Sequence, residues 1–85
     1  MEITHNKTRH MFEYGNSAVV EYKSFDGGIN ILHTFVPKPL QNKGYGAKLV
    51  KETLDYAREN HLKVIITCPF ARIYMARHKE YEDLL

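Results

Sequence analysis

The sequence predicts a mixed α/β domain in which antiparallel strands lead into a strand–helix–strand unit, and a C-terminal helix follows. Three observations support this fold class. Apolar and polar residues alternate in the first third of the chain, apolar residues recur every three or four positions between 44 and 60, and a short β-branched run follows at 63–67. A period of two is typical of strands and a period near 3.6 of helices. With 85 residues, the chain has room for one core, so we expect a single domain over 1–85.

The antiparallel part is predicted from three runs of apolar and polar residues. His10–Tyr14 and Ala18–Lys23 are the first two. Asp26-Gly27 follows, and this dipeptide between two such runs indicates a tight hairpin. The third strand is predicted over Ile29–Val36. Strict alternation would place one set of its side chains on one face, and a second set on the other. The first set is Ile29, Ile31, His33 and Phe35, and the second is Leu32, Thr34 and Val36.

Past Pro37 and Pro39, which cannot donate to a strand ladder, the periodicity becomes helical. We expect an amphipathic helix over 44–60. Its apolar face would consist of Ala47, Val50, Leu54 and Ala57. The run 63–67 predicts a strand buried on both faces. This strand should lie parallel to Ile29–Val36, because a helix connects the two.

The last predicted element is a helix from Pro69 to His78, since proline favours the first helical position and places Cys68 at the N-cap. Its shared face would be formed by Phe70, Ile73, Tyr74 and Arg77. The segment 79–85 carries no clear pattern.

Composition excludes several function classes. Twelve Lys and Arg against ten Asp and Glu give a net charge of +2 and a pI near 8.7, which is too mild for a dedicated nucleic-acid binder. Cys68 is the only cysteine, so an intrachain disulfide is impossible, and the five histidines show no paired ligand spacing that would predict a metal site. No apolar run suits a signal peptide or a membrane span. We therefore expect a cytoplasmic protein without a metal, either a monomer or a small oligomer, with a monomer preferred.

The most informative segment is 41–48, which lies between the end of a strand and the start of a helix. Backbone N–H groups at a helix start lack intrahelical partners, and the helix dipole adds partial positive charge. Gly44 and Gly46 remove side chains that would obstruct a ligand. Such a loop suits a phosphate or pyrophosphate. It has neither the Walker spacing nor the third glycine of a Rossmann fingerprint, since position 49 is leucine. The two glycines could also simply ease a tight turn.

Gln41-x-x-Gly44-x-Gly46 resembles the pyrophosphate loop of the GNAT (GCN5-related N-acetyltransferase) superfamily. His33-Thr34-Phe35-Val36-Pro37 before the loop and the segment from Cys68-Pro69-Phe70 to Tyr81 narrow this likeness to the short single-domain branch. The resemblance covers about residues 12–84. It implies a minimal GNAT-like fold with two splayed parallel strands, and an enzyme that transfers an acetyl group from acetyl-CoA to an amine.

The resemblance also implies how acetyl-CoA would bind. Its pantetheine arm would lie between strands 29–36 and 63–67, against backbone groups near Phe35 and Val36. The remaining residues implied in cofactor binding are Gln41, Asn42, Lys43, Gly44, Tyr45, Gly46, Ala47 and Lys48 in the loop, and Arg72 and Arg77 near the adenosine phosphate. For each lysine and arginine, a solvated surface charge is the alternative interpretation.

Three residues are candidates for the chemistry. A lysine-type amine has a pKa of about 10.4, so a base or a water chain must take its proton. The short branch usually has an acidic residue where this chain has Phe35, which removes an obvious base, and His33 on the same strand could replace it. Cys68, at a helix start that favours a thiolate, could accept the acyl group or otherwise assist transfer. Tyr74 could protonate the departing thiolate. His33 could instead be a partly buried histidine bonded to backbone, and Cys68 and Tyr74 could serve packing alone.

Two other functions remain compatible with the sequence. A non-catalytic CoA or acyl-CoA binder could have kept the cleft and lost the base. A small module that binds single-stranded nucleic acid through Tyr and Phe is less compatible with the weak charge and the glycine loop. The acceptor cannot be read from the residues: a protein lysine or N-terminus, a polyamine and another small amine all suit an open site.

Overall fold

The structure is a computed structural model that describes residues 2–15 and 17–85, so Met1 and Asn16 lie outside the described residues. A five-stranded sheet runs in chain order, with β1 to β4 antiparallel and β5 parallel to β4. The strands are β1 (Ile3–Asn6), β2 (Met11–Tyr14), β3 (Ala18–Phe25), β4 (Gly28–Phe35) and β5 (Lys63–Ile66). The predicted mixed α/β fold is confirmed. Strand β1 is an addition that the sequence pattern did not predict.

Two helices cover one face of this sheet. Helix α1 (Tyr45–Glu59) connects β4 to β5, and α2 (Pro69–Arg77) follows β5. Two short 3-10 helices span Lys38–Leu40 and Lys79–Leu84. The buried side of α1 includes Leu49, Val50, Leu54 and Ala57, which pack with Val20, Ile29 and Ile31 of the sheet in one hydrophobic core. The predicted amphipathic helix and parallel crossover are therefore confirmed.

The predicted faces of β4 are wrong beyond Ile31. The register between β3 and β4 shifts at Glu21 and Tyr22, so that Tyr22 opposes Ile31 while Glu21 opposes His33. Leu32 is the extra residue of this β-bulge, and one extra residue reverses the alternation that follows it. Ile29 and Ile31 are buried in the core. Thr34, opposite Val20, turns toward the core side, while His33 and Phe35 turn to the other face.

Two burial expectations also fail at the end of the chain. Strand β5 is buried on one face only, because no described helix covers the second face, and Ile65 is 52% exposed there. Helix α2 buries Ala71, Tyr74 and Met75, so that Tyr74 alone of the predicted shared face is buried, and Phe70 and Ile73 are exposed. Its start is tied to the sheet by the Cys68 N–H, which donates to the carbonyl of Ile31 at 3.0 Å. None of the described helices is long and apolar enough to cross a membrane.

Candidate active site

A cleft opens where β4 and β5 separate. Their pairing ends at Ile31 and Ile66. The N–H groups of Thr67 and Cys68 both donate to the carbonyl of Ile31, each at 3.0 Å, and the chain then leaves the sheet as α2. Strand β4 continues to Phe35 with β3 as its partner. Beyond Ile31, the edge of β4 that was paired with β5 therefore has no strand beside it among the described residues, and it faces the cleft.

The cleft has a volume of roughly 490 Å³ and is lined by the end of β4, the loop before α1 and the start of α2. Eight of the predicted cofactor-binding residues line it: Phe35, Val36, Gln41, Asn42, Gly44, Tyr45, Gly46 and Ala47. Sequence reasoning missed three further lining residues, Thr34, Leu40 and Phe70. A Cβ on Gly46 would lie 3.0 Å from the ring of Phe70 and 3.5 Å from Cγ2 of Val36. Glycine at 46 thus lets the start of α1 approach both walls.

The loop before α1 presents a series of backbone donors. Six consecutive N–H groups, from 42 to 47, have no acceptor among the described residues, and the first helical bond is from Lys48 N–H to the carbonyl of Gly44. Asn42 and Gly44 both have positive φ, 64° and 83°, a geometry in which successive N–H groups converge on one concavity. The first turn of α1 has no acidic residue, and no side chain caps it. These donors and the helix dipole suit an anion.

The remaining predicted cofactor-binding residues lie outside the cleft lining. Lys43 and Lys48 are exposed on the loop and on the first turn of α1. The Nε of Arg72 donates to the carbonyl of Ile66 at 2.9 Å, and this side chain lines a separate groove along β5. Arg77 is exposed at the end of α2. Gln41 does line the cleft, but its side-chain amide makes an internal hydrogen bond: Nε2 donates to the carbonyl of Val36 at 3.0 Å.

Cys68 lies directly behind the cleft wall. Its side chain is 3% exposed, and its Sγ is 3.3 Å from Oγ1 of Thr34, which lines the cleft. A hydroxyl at this distance can donate to a thiolate or accept from a thiol. The sulfur occupies the N-cap position of α2, where it makes no hydrogen bond to the helix backbone.

The other two catalytic candidates lie in different places. His33 is exposed on the sheet face opposite the core, two residues before Phe35. Tyr74 is 9% exposed and stacks on His78 with ring centroids 3.9 Å apart. Burial raises the pKa of Tyr74. Thr34 thus lines the cleft and Cys68 contacts it from behind, while none of the three catalytic candidates, His33, Cys68 and Tyr74, is itself a lining residue. No group of three or more His, Cys, Asp or Glu within 2–15 and 17–85 could hold a metal ion.

The bulge explains why Thr34 was missed. Strict alternation puts Thr34 on the same side as Leu32, and the extra residue in β4 turns it toward Cys68. The helical spacing predicts that Phe70 shares a face with Tyr74, whereas Tyr74 is buried and Phe70 is 44% exposed at the mouth of the cleft. The available signal in the sequence was Gly46 itself, because a glycine inside a helical pattern often marks a close contact. In the structure this contact is with the ring of Phe70.

The sheet, the splayed strands and the loop before α1 define a small α/β domain of the acetyltransferase type. A family profile described as GCN5-related N-acetyl-transferase matches residues 9–84, and the chain belongs to this family. The NMR solution structure of a Staphylococcus aureus protein, described as GCN5-like and provisionally as an N-acetyltransferase, matches with a TM-score of 0.77 and 35% identity. The match covers 98% of this chain and 85% of that one. No curated protein matches the sequence.

Proposed function

We propose that this protein is an acetyl-CoA-dependent N-acetyltransferase that binds its donor in the cleft between β4 and α2. The observation that carries this proposal is the series of six N–H groups from 42 to 47, at the start of α1, none of which makes a hydrogen bond of normal geometry to another described residue. A CoA pyrophosphate supplies anionic oxygens that such donors bind. The family membership supports acetyl-CoA as the donor.

The proposed pose follows the cleft. The pyrophosphate lies on the loop, with Lys43 and Lys48 as nearby cations, and the pantetheine arm runs along the free edge of β4 near Phe35 and Val36. The adenosine phosphate would meet Arg77 or Arg72. Of these two, Arg77 is the stronger assignment, because the guanidinium of Arg72 already donates to the carbonyl of Ile66.

In the direct route, a neutral amine nitrogen attacks the thioester carbonyl carbon. The N–C bond forms, the C–S bond breaks, and CoA leaves as a thiolate that takes up one proton. The amine loses its proton to a base, and His33 is the candidate on the face from which an acceptor can approach. Tyr74 is a weaker candidate acid for the thiolate, because it is buried against His78.

In the covalent route, Cys68 carries the acetyl group between donor and acceptor. Its thiolate attacks the thioester carbon, a new S–C bond forms, and CoA leaves as a thiolate that takes up the proton Cys68 has given up. The amine then attacks this second thioester, the S–C bond to Cys68 breaks, and the Cys68 thiolate takes up the proton that the amine loses. One thioester replaces another in the first step, so the exchange needs little driving force. The 3.3 Å contact with Thr34 supports this route, since it joins the sulfur to the cleft wall.

Two measurements test the proposal. In an NMR titration, CoA should shift the amide signals of 42–47 strongly, while a single-stranded oligonucleotide of similar charge should not. A panel of amines with acetyl-CoA should then release free CoA thiol in proportion to acetylated product. If CoA leaves these amides unchanged, the loop is not the pyrophosphate site and the proposal fails.

A second candidate function is a non-catalytic CoA or acyl-CoA binder. Phe35 favours it, because this exposed aromatic side chain stands where a carboxylate would have supplied a base. The two functions differ in turnover alone. CoA-dependent shifts of 42–47 without thiol release from any amine would support the binder.

A further inference from the structure

One face of the sheet is left open by the described helices. At the end nearest the cleft, two rows of opposed residues cross it, as the strand registers show. The first row is Thr4, Glu13, Val19 and Phe35, and the second is Asn6, Met11, Glu21 and His33. Phe35 ends the first row and also lines the cleft, so the open face and the cleft meet at this residue.

A shallow basin lies at the same end of the sheet. It has a volume of roughly 600 Å³ and is lined by Glu2, Thr4, Glu13, Tyr14 and Gly15. Tyr14 stacks on Tyr45 with ring centroids 4.7 Å apart, and Tyr45 lines the cleft. The stacked pair therefore forms a wall that the basin and the cleft share.

The charge of this region is opposite to that of the whole chain. The chain carries +2, yet Glu2 and Glu13 line the basin, and Glu21 is the diagonal neighbour of Glu13 across β2 and β3. No ion pair joins these three carboxylates to a cation in the part of the chain that the structure describes. The nearest lysine along the same strand face is Lys23, two positions beyond Glu21 and farther from the cleft. His33 on β4 is paired with Glu21 on the neighbouring strand β3, on the same face of the sheet.

We infer that the open face at this end is the docking surface for the acceptor, and that the acceptor is a lysine within a basic protein segment. This inference rests on the proposed function, since the lysine amine must reach an acetyl group held in the cleft. Cations flanking that lysine would complement Glu2, Glu13 and Glu21. Opposite charges across a contact raise the encounter rate and fix the register of the partner.

The shape of the region favours a protein segment over a small amine. The basin and the two rows form an open surface that spans four strands, with the exposed ring of Phe35 at its edge. A small amine would meet one side of this surface and gain little binding energy. An extended segment can contact the apolar side chains of Val19 and Phe35 while its cations lie against the carboxylates.

The experiment compares acceptors that differ in flanking charge alone. The probe is a short peptide with one lysine flanked by arginines, beside the same peptide with glutamines in place of the arginines, and spermidine represents small polyamines. We expect kcat/KM to be about tenfold higher for the arginine peptide at low salt, and the advantage to shrink in high salt, since contacts between exposed charges are screened. In the double variant Glu13→Gln/Glu21→Gln, the kcat/KM advantage of the arginine peptide over the glutamine peptide should fall by a factor of about 3 to 10. The control Glu52→Gln/Glu59→Gln, on the exposed side of α1, should leave this advantage unchanged.

Binding of the arginine peptide to the CoA-loaded protein, followed by NMR, tests the surface without turnover. Shifts at residues 13–15 and 17–21 support the docking surface, and acetylation of the lysine in the arginine peptide supports the choice of acceptor. The absence of these shifts overturns the inference, as would equal turnover of both peptides or a preference for spermidine that the two glutamine substitutions leave unchanged. A protein whose 42–47 amides do not respond to CoA contradicts the proposed function instead, so the two failures are distinguishable.

Discussion

The side-chain amide of Gln41 donates a hydrogen bond of 3.0 Å to the carbonyl oxygen of Val36. This bond closes a loop of four residues, Pro37 and the 3-10 turn Lys38–Leu40, and it ties the segment before α1 to the end of β4. We therefore expect Gln41 to help fix the position of the N–H groups of 42–47 relative to the cleft.

Gln41→Ala should weaken CoA binding by roughly fivefold, because one net hydrogen bond of about 1 kcal/mol no longer fixes the loop. The thermal midpoint should change little, since Gln41 is exposed. Calorimetric titration with CoA measures the effect. Asn60→Ala is the matched control, because Asn60 makes a similar exposed bond to the carbonyl of Tyr56 at the other end of α1. Equal losses of affinity in both variants would contradict this role for Gln41.

Gly44 and Gly27 provide a second matched pair. Both have positive φ, 83° and 87°, and at either position a Cβ would lie more than 4 Å from every other described residue beyond its chain neighbours. Alanine at each should therefore cost a similar free energy of unfolding, about 1 kcal/mol for the left-handed backbone. Gly44→Ala should in addition reduce CoA affinity about tenfold or more, because it reorients the N–H groups at the start of α1. Gly27→Ala, in the β3–β4 hairpin, should bind CoA normally. Normal binding by both variants would argue against the loop.

The sequence predicted the sheet-to-helix order well, because local patterns determine it. Asp26-Gly27 sets the hairpin and the apolar period of 44–60 sets α1, and both act within a few residues. The bulge at Leu32 has no such local signal. It arises from the register of β4 against β3, a contact between strands that a strand's own alternation does not encode. Strand β1 was missed for a related reason: four residues at a sheet edge, Ile3–Asn6, carry too short a pattern.

The candidate site was predictable to the extent that it is made of backbone. The glycine spacing at Gly44 and Gly46 located the loop, and those residues line the cleft. Side chains that reach the cleft from other elements were not predictable. Thr34 depends on the bulge, and the hydrogen bond from Arg72 to the carbonyl of Ile66 is a contact that the sequence does not predict. The direction of a long side chain depends on neighbours distant in sequence.

Cys68→Ala should separate the two catalytic routes. In the covalent route, turnover falls by at least about 100-fold and no acetyl adduct forms, while CoA affinity is retained. Rapid mixing with acetyl-CoA followed by intact-mass analysis should show a transient adduct of one acetyl group on the wild-type protein. Loss of the small buried side chain should cost about 1 kcal/mol of stability, so the variant should fold.

Thr34→Val is the companion to Cys68→Ala, because it keeps the shape of the cleft wall and removes the hydroxyl 3.3 Å from the sulfur. If Thr34 assists the thiolate, this variant forms the adduct more slowly and still binds CoA. Full turnover by Cys68→Ala without any adduct on the wild-type protein would leave the direct route and assign Cys68 to packing.

The C-terminal turn is held to α1 through Asp55, and this contact should make stability fall in acid. Tyr81 donates to Oδ1 of Asp55 at 2.6 Å and Lys51 donates to Oδ2 at 2.8 Å. Burial opposes ionisation of Asp55, but these hydrogen bonds outweigh it and hold its pKa below the usual value. A lowered pKa in the folded state stabilises the protein above the unfolded pKa of about 4, and the contribution is lost as the pH falls through the folded value.

Tyr81→Phe should therefore lower stability by about 1–2 kcal/mol at pH 7, and the difference from wild type should narrow toward pH 2. Thermal denaturation followed by circular dichroism at several pH values measures this difference. Tyr56→Phe, which removes a hydroxyl without a hydrogen bond among the described residues, should show a small effect that does not vary with pH in the same range. A Tyr81→Phe difference that stays constant from pH 7 to pH 2 would show that the hydroxyl does not act through the ionised carboxylate.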